Sequence, residues 1–184
     1  MGHRFLDIAF TDAVKAVQQR QGSRGAYAAR EGGGVDVNDR LGAGEASFIA
    51  ERDSFYMATV SETGWPYVQH RGGPKGFLRV LDESTIGFAD FAGNRQYVSV
   101  GNLAANDRVS LFLMDYPNRK RLKILGRARL VGGDEGDVMA KLTHPGYRAR
   151  IERGLLITIA AFDWNCPQHI TPRFADGDGA REQT

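Results

Sequence analysis

The sequence is short of most features that would place it in a special class. It holds one cysteine, Cys166, in 184 residues, which excludes an internal disulfide and any multi-cysteine zinc site, and a reducing, cytoplasmic setting is expected. No stretch approaches the roughly eighteen consecutive apolar residues of a membrane-spanning helix. Met1–Arg4 open into a polar, acid-containing segment rather than the apolar core of a signal peptide, so no membrane association is expected. Charge of either sign is not in excess: 24 Lys and Arg against 22 Asp and Glu leave +2, and no global field draws the chain to nucleic acid or anionic lipid. Any cationic site must be local. His3, His70 and His144 show no metal-ligand spacing, and no metal is expected. What is present is ordinary for one globular domain: 42% hydrophobic, 25% charged and 10% aromatic residues, enough to build a core at this length.

Phe10, Val14 and Val17 recur at i, i+4 and i+7 behind Thr11, a candidate N-cap, and Gly22 follows as a stop; this predicts a short amphipathic helix. Residues 22–44 hold seven glycines and few large apolar side chains, which predicts a long loop, either mobile or draped over a partner. Gly42-Ala43-Gly44-Glu45-Ala46-Ser47 superficially matches a dinucleotide fingerprint. No apolar strand precedes it and its last small position is Ser47, so it reads instead as a loop feeding a helix over Glu45–Arg52, with Phe48 and Ile49 buried.

From residue 54 the apolar period changes to two. Ser54–Ser61, Trp65–Arg71, Gly76–Leu81 and Thr85–Asp90 are short strand-forming runs separated by turn residues. Arg95–Asn106 reads as a helix. Arg108–Asp115 and Arg121–Val131 follow as strands about a Tyr116-Pro117-Asn118 turn, then a helix over Asp134–Leu142 and an apolar strand over Gly154–Phe162. Such spacing leaves no room for crossover helices. The expected fold is mainly β, an antiparallel barrel of six to seven strands, closed or half-closed, with peripheral helices. The expected organisation is a helix and glycine-rich loop over 1–44, the barrel domain over 45–174, and a frayed polar tail over 175–184.

Two patterns carry chemistry. On a strand, Arg119, Arg121, Lys123, Arg127 and Arg129 would share one face and Leu122, Ile124, Ala128 and Leu130 the other. The cationic face is either a solvated barrel exterior or one wall of an anion site. Gly93-Asn94-Arg95-Gln96 would supply the rest of such a site, because a glycine turn entering a helix gathers free backbone N–H groups and the positive dipole end, and Arg95 adds a bidentate phosphate ligand. Arg71-Gly72-Gly73 ends a strand with a cation and two positions where a flat ligand could approach the backbone. Cys166, beside Pro167, has no nearby base in sequence to make it a nucleophile.

The stretch GFADFAGNRQYVSVGNLAANDRVSLFLM at 87–114, followed by LKILGRARL at 122–130, resembles the flavin-mononucleotide (FMN)-binding split-barrel proteins related to pyridoxamine 5′-phosphate oxidase. The resemblance spans roughly residues 45–131, and its unit is Gly93-Asn94-Arg95, Asn102, Asn106 and the strand Val109–Leu113. It implies a six-stranded split β-barrel and a homodimer with FMN in clefts at the subunit interface. It also implies that Asn94, Arg95 and Gln96 meet the phosphate, that Arg71 and Gly72 line the strand beside the flavin, and that Ala89 and Asp90 meet the ring or ribityl chain. Arg121, with Lys123 near it, would reach the flavin edge. Asp163–Ile170 is similar to the closing segment of one branch, where Trp164 and Gln168 would lie near the cofactor. The oxidases' vitamin-binding residues are not reproduced: residues 132–160 offer only Tyr147, Arg148 and Arg150 at a different spacing, which argues against vitamin B6 as substrate.

The implied function is an FMN-dependent oxidoreductase with a small-molecule electron donor or acceptor, the flavin doing the redox chemistry. No catalytic acid or base stands out. The alternative is a non-catalytic flavin or haem binder in storage or sensing. A nucleic-acid-binding barrel would need exposed aromatics among the cations of 119–130, and there are none.

Overall fold

The computed structural model describes residues 2–31, 36–164 and 166–174; the expected tail over 175–184 lies outside them. In chain order the elements are β1 (Gly2–His3), α1 (Arg4–Ala9), α2 (Asp12–Arg20), α3 (Arg24–Ala28), β2 (Asp36–Val37), α4 (Ala43–Ala50), β3 (Ser54–Val60), β4 (Pro66–Gly72), β5 (Arg79–Asp82), β6 (Thr85–Phe91), α5 (Val98–Ala105), β7 (Arg108–Asp115), β8 (Lys120–Val131), α6 (Gly136–Leu142) and β9 (Ile151–Trp164). Among the described residues no helix is long and apolar enough to cross a membrane.

Seven strands form one antiparallel sheet in the order β4-β3-β7-β8-β9-β6-β5, while β1 and β2 pair in parallel by themselves. Alternation does the work the sequence promised: Phe55 and Met57 on β3, Val109, Leu111 and Leu113 on β7, and Leu122 and Ile124 on β8 point inward and are buried. The sheet curls until its edges face each other. Phe55, Phe77 and Phe88 then meet across the interior with ring centroids 5.3–6.3 Å apart, so aromatic packing fills the space where no backbone ladder joins β4 to β6. The result is a split β-barrel.

Two glycines are required by close approach. A Cβ on Gly126 would lie 2.7 Å from the Thr158 carbonyl oxygen at a β-bulge, and one on Gly154 would lie 2.6 Å from Leu142, whose side chain lets α6 seat on the barrel.

Several expectations need correction. Thr11 does cap α2, accepting from Val14 N–H at 3.4 Å, but Val14 and Val17 are exposed and Gln18 is the residue buried. The helix turns its apolar stripe away from the barrel because α1, with Phe5 and Leu6, occupies the barrel's flank. The 22–44 stretch is not all loop, since α3 and β2 interrupt it. The glycine cluster at 42–44 caps α4, with the Glu45 carboxylate accepting from Gly42 N–H at 3.0 Å. The helix expected from Arg95 starts at Val98, because Arg95 and Tyr97 take left-handed φ values of 61° and 54°. On β8, Arg119 sits in the preceding turn at φ 52° rather than on the ladder, and Leu130 is exposed while Val131 is buried.

Candidate functional site

The gap between β4 and β6 is the place where this barrel offers polar side chains to a ligand. Arg71 from β4 donates to Asp90 of β6 at 2.6 Å, and around this pair lie two adjoining hollows of about 230 and 170 Å³. The first is bounded by Gln69, the Gly93–Arg95 turn, Tyr97 and Glu152. The second runs along Arg71, Gly72, Phe88 and Ala89. Helix α5 forms the roof and is pinned twice: the Asn102 amide donates to Thr59 Oγ1 at 2.9 Å in the core, and Ser99 Oγ donates to Gln69 Oε1 at 2.9 Å. Asn106 ends the helix, its side chain accepting from Arg108 N–H at 3.1 Å.

The far wall is built by a β-bulge. On β9, Arg153 pairs with Asp90 and Ile151 with Phe91, which leaves Glu152 as the extra residue. A regular strand would send residues 152 and 153 to opposite faces; the bulge aims both at the cleft. Arg153 Nε lies 3.6 Å from Asp90 Oδ2, its guanidinium covers the Tyr97 ring at 4.9 Å, and Glu152 accepts from Arg150 at 3.0 Å and from Arg153 at 2.8 Å. The Tyr97 hydroxyl accepts from Arg95 Nε at 3.2 Å and donates to Glu152 at 3.3 Å. Four guanidiniums, of Arg71, Arg95, Arg150 and Arg153, thus surround two carboxylates, of Asp90 and Glu152, and of these six Arg71, Arg95, Asp90 and Glu152 line the first hollow. Arg71 Nε and Arg153 Nε are buried without a hydrogen-bond partner. Arg95 is exposed at the glycine turn with no hydrogen bond to its terminal nitrogens among the described residues, a fork that fits an anionic group with several acceptor oxygens, such as a phosphate.

Asp90 is 7% exposed. Burial pushes its carboxyl above the ordinary carboxylate range, outweighing the pull of Arg71 and Arg153, and Glu152 pushes the same way. For Arg95 the hydrogen bond it donates to Tyr97 leads, with help from Glu152, in holding the guanidinium above its ordinary value.

Of the residues singled out in the sequence, Arg71, Gly72, Ala89, Asp90, Asn94 and Arg95 are brought together here. Gln96 follows in the same turn, its backbone N–H held by Asn94 Oδ1 at 3.2 Å. The spaces left by Gly72 and Gly73 are already taken: the His70 ring lies 3.1 Å from a Cβ on Gly72 and the Phe77 ring 2.7 Å from one on Gly73. Those glycines admit neighbouring side chains rather than a flat ligand. Four others are elsewhere in the chain. Lys123 pairs with Asp163 at 2.7 Å beneath Phe5 of α1. Arg121 lies over the Phe112 ring at 5.8 Å and donates to the Cys166 carbonyl at 3.4 Å. Trp164 packs edge-on against Phe48 at 4.8 Å and donates to Glu45 at 2.7 Å. Gln168 is in an exposed turn. Farther along β8, Arg127 and Arg129 are exterior cations paired with Asp107 and Glu135. Gln69, Tyr97, Glu152 and Arg153 escaped the sequence reading. The last strand was expected only from Gly154, and no signal in the sequence marks the bulge.

The sequence profile described as pyridoxamine 5′-phosphate oxidase matches residues 45–156, which contain every residue of this cleft. No curated protein matches the chain. Among solved structures, HupZ of group A Streptococcus is 15% identical, with TM-score 0.55 over 73% of this chain and 100% of its own. A candidate pyridoxamine 5′-phosphate oxidase of Lactobacillus delbrueckii is 20% identical, with TM-score 0.51 over 68% of this chain and 94% of its own. At such identities the likeness is one of fold, and it agrees with the seven-stranded split barrel. The profile match over more than half of the chain assigns the protein to the pyridoxamine 5′-phosphate oxidase family.

Proposed function

We propose that the protein binds FMN and serves as an FMN-dependent oxidoreductase. The observation that carries this reading is the exposed Arg95 fork in the β6–α5 turn, held through Nε with no hydrogen bond to its terminal nitrogens among the described residues, and Arg71 lining the same hollow. A phosphate monoester dianion suits two guanidiniums that line one hollow. Arg95 and Arg71 would grip the phosphate from two sides, and Asn102 and Ser99 would hold the helix that roofs it. The remainder of the flavin would run along β4 and β6 past Ala89 and Asp90. Bound there, the flavin would supply hydride and electron transfer; the chain's own part is to bind, orient and shield it from water.

The reading includes a homodimer. Each hollow is smaller than the roughly 300–1,000 Å³ of a typical small-molecule site, so a single chain encloses only part of a flavin nucleotide. On the neighbouring outer face of β3 and β4, Tyr56 and Val68 are 41% and 60% exposed, and Trp65, in the turn that joins the two strands, is 76% exposed. A second copy seated there would cover this apolar face and close the cleft.

The purified protein tests the reading directly. A flavin absorption spectrum, affinity for FMN well above that for riboflavin, and steady-state turnover with NADH or NADPH are expected. Bound flavin without turnover for any reduced nicotinamide would point to a storage or sensing role; equal affinity for FMN and riboflavin would remove the phosphate site.

A further inference from the structure

We infer that Tyr97 is a positioning residue that sets the phosphate-binding geometry of Arg95; the inference rests on the phosphate reading of the cleft. An exposed arginine samples many rotamers, and fixing its fork costs entropy each time a ligand binds. Here that cost is met within the protein. The Tyr97 hydroxyl accepts from Arg95 Nε at 3.2 Å, so the side chain is tethered through the nitrogen that a fork-on contact does not use. Among the described residues no hydrogen bond or close ion pair engages the Arg95 terminal nitrogens, which stay available for a bidentate grip.

Tyr97 is itself held from three directions. Its hydroxyl donates to Glu152 at 3.3 Å, the Arg153 guanidinium lies 4.9 Å over its ring, and its carbonyl accepts the helical bond from Gly101 N–H at 2.8 Å. Its left-handed φ of 54° is unfavourable for a non-glycine residue and persists where surroundings over-determine it. The hydroxyl is used both ways, as acceptor for Arg95 and donor to Glu152. It therefore links the cation of the β6–α5 turn to the carboxylate that the β9 bulge delivers, and Phe can do neither.

The test uses the full chain with Tyr97→Phe, Arg95→Ala and the double variant, and FMN and riboflavin as probes in fluorescence titrations. Tyr97→Phe is expected to weaken FMN by roughly five- to thirtyfold, the scale of a charge-assisted hydrogen bond, and to leave riboflavin unchanged. The double variant should match Arg95→Ala alone, since a tether without its cation has nothing to hold. A ligand-free readout runs beside it: Arg95 Nε–H, followed by NMR relaxation, should be more mobile in Tyr97→Phe. Equal losses for both flavins, additive effects in the double variant, or unchanged Nε order would overturn the inference. If Arg95→Ala itself fails to discriminate FMN from riboflavin, the phosphate reading fails, and the Nε measurement alone then decides whether Tyr97 positions Arg95.

Discussion

Arg71 on β4 and Asp90 on β6 meet at 2.6 Å across the gap between two strands that share no backbone ladder. The barrel is therefore closed at this point by side chains, and the same pair sits at the centre of the cleft. Each partner is about one-tenth exposed, so the contact is shielded from solvent screening.

The Asp90 carboxyl has its pKa raised above the unfolded value. The folded protein thus holds the proton more strongly than the unfolded chain. Asp90 titration favours the fold fully below the unfolded pKa of about 4, and this contribution is lost as pH rises through the higher folded value. Asp90→Asn keeps an acceptor for Arg71 and removes the titration. Whatever its absolute offset, variant stability minus wild-type stability should increase as pH is raised from about 3 through the carboxylate range, measured by urea unfolding. A flat difference would show that the group does not titrate abnormally.

Arg95→Ala should weaken FMN by about ten- to a hundredfold, the range expected for losing a partly solvated charge-assisted contact, with riboflavin little affected. Raising the salt should narrow the gap between wild type and variant, because ionic strength screens the same interaction.

Asn102→Ala should destabilise the fold by about 1–3 kcal/mol, since it strands the buried Thr59 hydroxyl. Adding Thr59→Val should recover part of that loss, because no polar group is then left without a partner. Flavin affinity should stay low in both variants, as α5 has lost its anchor on β3; full recovery of binding in the double variant would mean that the anchor is not needed for the site.

Gly126→Ala places a Cβ about 2.7 Å from a backbone oxygen that has no rotamer to move. A loss of about 1–3 kcal/mol is expected, seen as a lower urea midpoint with an unchanged slope.

Val68→Glu puts a charge in the middle of the exposed apolar face of β3 and β4. In sedimentation experiments it should convert a dimer to monomer and release flavin in the same titration. A variant that stays dimeric with flavin bound would move the subunit contact elsewhere.

Much of this protein was legible in one dimension. Alternation from residue 54 onward gave the strands and their inward faces, because a period of two is a local property of a half-buried sheet. Thr11 as a cap, the Tyr116–Asn118 turn, and Arg71 and Arg95 as candidate ligands were equally accessible, because residue type and near neighbours in sequence carry them; Asp90 entered only through the family resemblance. Boundaries were less so. Tyr97 looks like an ordinary helical residue until its φ turns left-handed, which moves the helix start to Val98.

What only the tertiary structure decided is which charges share a site. The cationic ladder of β8 was the most visible pattern in the sequence, yet Lys123 is tied to Asp163 under α1, and Arg127 and Arg129 are paired on the outside. Glu152 and Arg153 gave no signal at all. They reach the cleft because one extra residue on β9 shifts the register beside Asp90, and register is set by pairing with a strand some sixty residues away. Residue type and local period fix what a segment can do; sheet curvature, bulges and ion pairs between distant strands determine where it does it.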